Sequence, residues 1–362
     1  MGKRTRRSIE ALTVAALAVV ALMVRPFPAG AQRPKVLIIY DMEGISGVLT
    51  PQYERFGAPE YPQGRESLTA DVNAAIRGLK AGGAGSIWVE DGHGSGNSQE
   101  PDILVDKMDR GATFDFRDRR YDPYSTGIDG SIDAIICVGM HARARSTGFM
   151  AHTSTFDVAW TLNGVDLSET HIVALSAARW GIPVIMVSGD NVLQGQLAAE
   201  FPELQYAVVK TAKSLSAADA VPRTEADQRI ETAAREAMQR FLAGKFTPYY
   251  LPGPYDFHLT FRTTEQARMA DATRGVAGDG GLGVRFESTT FIDGYHVAED
   301  VIGHAMNPLP LLLRVVRRQP GGDAILKQWE DLIWQQIDPG NLPAWSLPPA
   351  PTDQKKRYYG DQ

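Results

Sequence analysis

The stretch KVLIIYDMEGISG, residues 35–47, contains a continuous apolar run that two acidic residues follow at once. The run is typical of a buried strand. Asp41 and Glu43 stand two residues apart, and strand side chains with that spacing point to the same side. Like charges held together raise each other's pKa unless a positive charge lies between them. The stretch is therefore a candidate for a metal or catalytic site, and the alternative is a pair of solvated loop acids that cap the next helix.

Strand and helix patterns alternate after this stretch, which is typical of an α/β layer fold. Further strands are predicted at residues 86–90, 132–140, 183–188 and 206–209, and helices at residues 66–79, 168–180 and 191–200. Asn163-Gly164 predicts the turn of a hairpin within residues 158–167. We therefore expect an α/β fold, a three-layer sheet with helices on both faces.

The pattern changes near residue 214. A long charged helix is predicted at residues 225–242, half-exposed strands at residues 257–261 and 284–288, and a helix within residues 295–317 that prolines interrupt or bound. We interpret residues 32–215 as the α/β core and residues 216–337 as a smaller α+β portion. The proline-rich tail, residues 338–362, is expected to be extended or disordered.

The first 31 residues have the pattern of a secretory signal peptide. A basic segment precedes an apolar stretch at residues 11–24, and Ala29-Gly30-Ala31 supplies small residues for cleavage after Ala31. The alternative is an uncleaved anchor, although the apolar stretch is short for a bilayer. We expect the mature protein to be secreted or periplasmic, without a stable membrane anchor. Export by the twin-arginine route is the less favoured alternative to the general route.

The composition, with 43% hydrophobic and 22% charged residues among 362, fits a globular protein. The net charge of −6 provides no basic surface for nucleic acid, so no nucleic-acid partner is expected. Cys137 is the only cysteine, which excludes an intrachain disulfide and a zinc-ribbon site. Because Cys137 lies inside an apolar strand, we expect an inert core residue.

Polar side chains follow each of the first three predicted strands. Asp41 and Glu43 follow the first, His93 the second and His141 the third. The carboxyl ends of parallel strands share one edge of a sheet, so these four side chains are expected to converge there. Carboxylate and imidazole ligands suit zinc, manganese or iron. The alternative for each histidine alone is a hydrogen-bonded loop residue.

Six segments, in order, resemble the bacterial D-aminopeptidases of the DppA type, which are dinuclear-zinc metallopeptidases. The segments are residues 41–47, 91–93, 139–144, 148–153, 163–169 and 187–190. Gly92 and Ser168 depart from the family pattern, which has serine and glycine there. The resemblance extends from about residue 35 to about residue 303 and becomes thinner after residue 213.

The resemblance implies a complete metal site. Its ligands would be Asp41, Glu43, His93, His141 and Glu169, with Asp41 bridging two zinc ions per subunit. An acid in the first turn of a helix is usually only favoured by the helix dipole, so the pattern alone does not single out Glu169. His152 matches a family histidine that acts in catalysis, and the alternative is a structural loop histidine.

The function that the resemblance implies is an exported zinc-dependent aminopeptidase. It would hydrolyse short peptides or amides with an N-terminal D-residue of the D-alanine type, through a hydroxide shared by the two metals. Ring-like homo-oligomers are also implied. The alternatives are a metal-dependent hydrolase of another amide or ester, and a periplasmic peptide-binding protein that has lost catalysis. The retention of all five ligand positions argues against the binding protein.

Five further residues have weaker claims on the site. Arg143 is a candidate for binding the substrate carboxylate, and the alternative is a structural ion-pair partner. Nothing in the sequence connects the remaining histidines with the motif edge, so we expect them to be structural. They are His171, His258, His296 and His304.

Overall fold

The computed structural model describes residues 33–96, 100–116, 122, 124–306 and 309–337. The predicted signal peptide and the proline-rich tail lie outside the described residues. Within the described part of the chain, no helix is both long and apolar enough to cross a membrane.

Twelve strands are present in the described residues. In chain order they are β1 (Lys35–Tyr40), β2 (Ser86–Asp91), β3 (Thr113–Phe114), β4 (Ala134–Met140), β5 (Val158–Leu162), β6 (Val165–Asp166), β7 (Val184–Asp190), β8 (Gln205–Ser214), β9 (Ala217–Ala220), β10 (Tyr255–Phe261), β11 (Ala277–Gly278) and β12 (Gly283–Ser288).

Eight α-helices accompany these strands in the same ranges. They are α1 (Tyr61–Gly82), α2 (Glu169–Ala178), α3 (Asn191–Leu197), α4 (Arg223–Leu242), α5 (Thr264–Ala270), α6 (Phe291–Ala305), α7 (Leu309–Arg317) and α8 (Gly322–Ile337).

The central sheet has seven strands in the order β3-β2-β1-β4-β7-β8-β9. All its neighbouring pairs are parallel except β8 and β9. The chain runs outward from β1 to β2 and β3, and then returns to add β4 on the other side of β1. Such a reversal of strand order opens a crevice at the carboxyl ends of the strands, where open α/β sheets bind their ligands.

Both faces of the central sheet are buried. Along β1, Val36, Ile38 and Tyr40 belong to one apolar cluster, and Leu37 and Ile39 belong to the other. This alternation follows from the two-residue period of a strand. Helices α1 and α4 pack together over the first face, and α2 packs against β4 and β7 on the second. The predicted α/β layers with helices on both faces are confirmed.

A second sheet, antiparallel throughout, has the order β11-β12-β10-β5-β6. Helix α6 packs against its strands β10 and β12 and also against α2. The predicted hairpin is β5–β6, and Asn163 and Gly164 supply its two positive φ angles, 49° and 82°. The hairpin therefore belongs to the second sheet, whereas α4 packs on the first. The boundary between the sheets does not coincide with residue 215, and the division into two portions stays a prediction.

Some elements extend beyond their predicted ends. Strand β8 continues past Val209 to Ser214, because β9 pairs with it along the edge of the sheet. The helix expected within residues 295–317 is two helices, α6 and α7. Helix α6 begins at Phe291, because the Thr290 hydroxyl accepts a hydrogen bond from Asp293 N at 3.2 Å and caps the first turn.

A substitution at Trp160 on β5 tests whether the second sheet shares its apolar core with α2. The Trp160 side chain is 1% exposed in the apolar cluster that contains Ile172 of α2. We expect Trp160→Ala to lower the free energy of unfolding by about 3–5 kcal/mol, because it leaves a large cavity. Urea unfolding followed by circular dichroism measures this loss.

Trp180→Ala is the matched control, because Trp180 is 51% exposed. This substitution should lower the free energy of unfolding by only a small fraction of the loss expected for Trp160→Ala. Equal losses from the two variants would contradict the common core.

Candidate metal centre

Asp41 and Glu43 lie in a tight turn directly after β1. Asp41 N donates to Val138 O at 2.8 Å, and Gly44 N donates to Gly139 O at 2.7 Å. A Cβ on Gly44 would lie 2.0 Å from Met140 O, so only glycine allows this approach to β4. Both acids are buried and face one point. The expectation that strand alternation directs them was wrong, because β1 ends at Tyr40 and the turn directs both side chains.

His93 lies in the turn after β2. The Asp91 carboxylate shapes this turn, because its Oδ1 accepts from His93 N and from Gly94 N, both at 2.9 Å. His93 Nδ1 lies 3.1 Å from Asp41 Oδ1 and 3.0 Å from Glu43 Oε2. These three atoms form the first donor triad.

His141 follows β4, and Glu169 is the first residue of α2. His141 Nε2 lies 3.3 Å from Asp41 Oδ2 and 3.1 Å from Glu169 Oε2. The opposite ring nitrogen, Nδ1, lies 3.1 Å from Ala142 O and donates to it, because a carbonyl only accepts. In the neutral ring Nε2 would therefore be the nitrogen left to bind a cation. His141, Asp41 and Glu169 form the second donor triad.

The two triads share Asp41. Its Oδ1 faces His93 and its Oδ2 faces His141. In each triad, and also in the set Glu43, His141 and His152, one donor atom from every residue lies within 4.8 Å of the others, close enough to surround one cation. Five of the predicted side chains, from four separate parts of the chain, are thus brought together in one place.

His152 lies between the two triads. Its Nε2 is 3.7 Å from Glu43 Oε1 and 3.7 Å from Glu169 Oε1. Its Nδ1 donates to Met150 O at 2.8 Å, so the neutral ring presents an unprotonated Nε2 to the centre. The ring stacks on His141 with centroids 4.0 Å apart. Burial and the neighbouring His141 lower the pKa of His152, which favours this neutral form.

The carboxylates and the imidazoles of the centre shift one another's pKa values. Burial, together with the neighbouring Glu43, raises the pKa of Asp41 to about 8. Burial also acts to raise the pKa of Glu169, but His141 lowers it to about 2. Burial disfavours charged imidazoles, yet the surrounding acids raise the pKa of His93 and of His141 well above the ordinary value. The acids and the imidazoles of the centre therefore largely balance one another's charge.

A divalent metal fits this donor set. Among the described residues, Asp41 Oδ2 is buried and accepts no hydrogen bond, although it faces His141. An unsatisfied buried carboxylate oxygen is costly, and a cation would satisfy it. Two carboxylates and one imidazole in each triad are the oxygen and nitrogen ligands that zinc accepts.

Three buried residues around the centre were not found from the sequence. Lys210 Nζ donates to Glu43 O at 2.6 Å and to Val48 O. Burial lowers the pKa of Lys210 to about 7, although nearby acids oppose the shift. Its only sequence signal was a lysine directly after the apolar strand predicted at residues 206–209. Glu54 O lies 3.2 Å from His93 Nε2, and Tyr124 donates to Glu169, but nothing in their local sequence marks either residue.

The remaining candidates have partners elsewhere. Arg143 Nη1 donates to Asp166 O at 3.1 Å and lies 3.9 Å from Glu200, which supports the structural alternative for this arginine. Burial raises the pKa of the Cys137 thiol, so the thiol stays protonated in the core. The other four histidines contact side chains outside the triads: His171 contacts Glu200, His258 contacts Asp279, His296 contacts Asp122 and His304 contacts Thr273.

Comparisons with known proteins agree with this geometry. The peptidase M55 family model, described as D-aminopeptidase, matches residues 35–299. A D-aminopeptidase of Bacillus subtilis (strain 168) is 26% identical over 263 residues, which are 72% of this chain and 94% of the relative.

A solved structure extends the comparison to the fold. It is the Zn-dependent D-aminopeptidase DppA from Bacillus subtilis, described as a self-compartmentalizing protease. It is similar with a TM-score of 0.71 and 25% identity, covering 75% of this chain and 98% of its own. The range that the family model matches, residues 35–299, contains both triads and His152.

The triads predict which histidines control metal content. We expect His93→Ala and His141→Ala each to lower zinc content by about one ion per chain or more, because each removes the imidazole of one triad. Elemental analysis after gel filtration measures this content.

His304→Ala is the control, because His304 is exposed and its Nδ1 lies 2.8 Å from Thr273 Oγ1, away from both triads. It should retain the wild-type content. The same loss from all three variants would mean that the triads do not hold the metal.

Proposed function

The chain belongs to the D-aminopeptidase family of peptidases, and we propose that it removes N-terminal D-amino acids from short peptides or amides with the help of zinc. The observation that carries this proposal is the pair of triads that share Asp41, with His152 between them. A binding protein has no need for such a set of buried acids, whose mutual repulsion costs stability.

We propose that each triad holds one zinc ion. Asp41 would be the shared ligand, because its two oxygens face different imidazoles. A zinc pair, when bound, supplies a polarised carbonyl and a water of lowered pKa.

His152 is the proposed catalytic residue. Its Nδ1 is held by Met150 O, which fixes the ring and leaves Nε2 to accept a proton. Glu43 and Glu169, each 3.7 Å from Nε2, stabilise the imidazolium that forms. The ring can then give this proton to the leaving amine. Phe156 stacks on His152 with centroids 4.4 Å apart and limits the access of water to the ring.

Preference for D-alanyl substrates and a homo-oligomeric assembly complete the proposal. Support for the first comes from the family resemblance. Support for the second comes from the similar structure, whose protein is self-compartmentalizing. A homo-oligomer that encloses the centre would admit short peptides and exclude folded proteins.

A substrate panel tests the function. We expect the zinc-loaded protein to hydrolyse D-alanyl dipeptides and D-alaninamide, and to leave the L-alanyl compounds almost unchanged. Liquid chromatography of the released amino acid measures both series. Faster hydrolysis of the L-series, or hydrolysis of esters alone, would contradict the proposal and favour another hydrolase.

His152→Ala separates binding from catalysis. The variant should keep the zinc content of the wild type, because all five side chains of the two triads stay in place, but kcat should fall by about 10²–10⁴-fold. Steady-state kinetics and zinc analysis of the same preparation provide the two values. A variant with wild-type kcat would show that His152 is structural.

We also propose that the protein is exported. The support is the basic and apolar N-terminal pattern that ends at Ala31. Expression in a Gram-negative host should yield periplasmic protein whose mass corresponds to a chain that begins at Gln32. An intact N-terminus in the membrane fraction would instead identify an uncleaved anchor.

A further inference from the structure

Tyr124 contacts the centre from the segment between β3 and β4. Its hydroxyl donates to Glu169 Oε2 at 2.7 Å, and the side chain is only 6% exposed. Gly92 O lies 3.4 Å from the same hydroxyl, a weaker contact. Tyr124 therefore joins Glu169 of the second triad to the backbone next to His93 of the first.

The hydrogen bond controls the orientation of the Glu169 carboxylate. Oε1 accepts from Ser154 N at 2.8 Å, while Oε2 accepts from Tyr124 and faces His141 Nε2 at 3.1 Å. One fixed donor on each oxygen prevents the carboxylate from rotating. A phenol carries no charge near pH 7, so it orients Glu169 without competing with a cation for the negative charge.

Tyr124 is itself fixed by the second sheet. The nearby Asp122 accepts a hydrogen bond from Tyr295 of α6 at 3.1 Å, and Tyr295 is buried beneath the sheet. The Tyr124 ring packs in the apolar cluster that includes Ile128 and Trp160. Tyr124 is therefore held in the apolar core that the two sheets share, close to the contact between Asp122 and α6.

We propose that Tyr124 is a positioning residue that holds Glu169 in the orientation required for the second zinc ion. This inference rests on the proposed function, because it takes Glu169 to be a zinc ligand. Groups that hydrogen-bond to metal ligands typically change metal affinity by about 10–100-fold. Tyr124 would thus connect the packing of the second sheet with the zinc affinity of the centre at the edge of the central sheet.

Tyr124→Phe tests the proposal, because it removes one oxygen and keeps the ring in the core. Tyr249→Phe is the matched control: Tyr249 makes the same kind of bond, to Glu200 Oε2 at 3.1 Å, outside the triads. For each protein, competition with a chromophoric chelator gives the affinity for zinc alone. Thermal unfolding without zinc measures the fold, and kcat and KM are measured over a range of zinc concentrations.

We expect Tyr124→Phe to bind the weaker of its two zinc ions about 10–100-fold less tightly than the wild type. Its kcat should be restored by excess zinc, and its unfolding temperature without zinc should stay close to that of Tyr249→Phe. The control should have wild-type zinc affinity.

Three results would overturn the proposal. They are an unchanged zinc affinity in Tyr124→Phe, an equal loss of affinity in Tyr249→Phe, and a loss of kcat that excess zinc does not restore. The last would mean that Tyr124 acts on the substrate. A failure of the proposed function would be seen as a separate result. The wild-type protein would then bind zinc without hydrolysing D-alanyl compounds, or it would bind no zinc.

Discussion

The burial of several carboxylates at one point is the constraint on which the rest of the structure depends. Asp41, Glu43 and Glu169 are all almost inaccessible to water. Buried charges are stable only when they are paired and hydrogen-bonded. Two imidazoles and a divalent cation can balance these acids, and the backbone also contributes, since Met42 N donates to Asp41 Oδ1 at 2.8 Å.

The turn that carries Asp41 and Glu43 is held from behind by opposite charges. Lys210 of β8 donates to the backbone carbonyls of Glu43 and Val48. From the side of α1, the Asp71 carboxylate accepts from Ser46 N at 2.8 Å and from Ser46 Oγ at 2.6 Å. A turn fixed at both ends places its acids accurately. This is what a metal site needs, because coordination tolerates only small errors in ligand position.

Much of the fold and part of the centre were predictable from local patterns. The apolar runs that became β1 and β4 have no polar face, so a sheet covered by helices on both sides was the natural interpretation. The pair Asn163-Gly164 was sufficient to predict the hairpin turn that it forms. Glu169 could be identified as a candidate ligand only through the family resemblance, because a single acid in the first turn of a helix has no distinctive spacing. Glu54, Tyr124 and Lys210 had no such motif, because their contacts are with residues far away in sequence.

The sequence by itself determined the layers of the fold, the sheet edge at which Asp41, Glu43, His93 and His141 would meet, and the donor chemistry of a metal site. Apolar periodicity and turn residues act over a few positions, and the chain carries that information directly. Only the tertiary structure decided which oxygen of Asp41 faces each imidazole, that His152 lies between the two triads and that Tyr124 donates to Glu169. These relations depend on how the strand order and the second sheet bring together segments that are distant along the chain. No local sequence pattern encodes the distances between atoms of such segments.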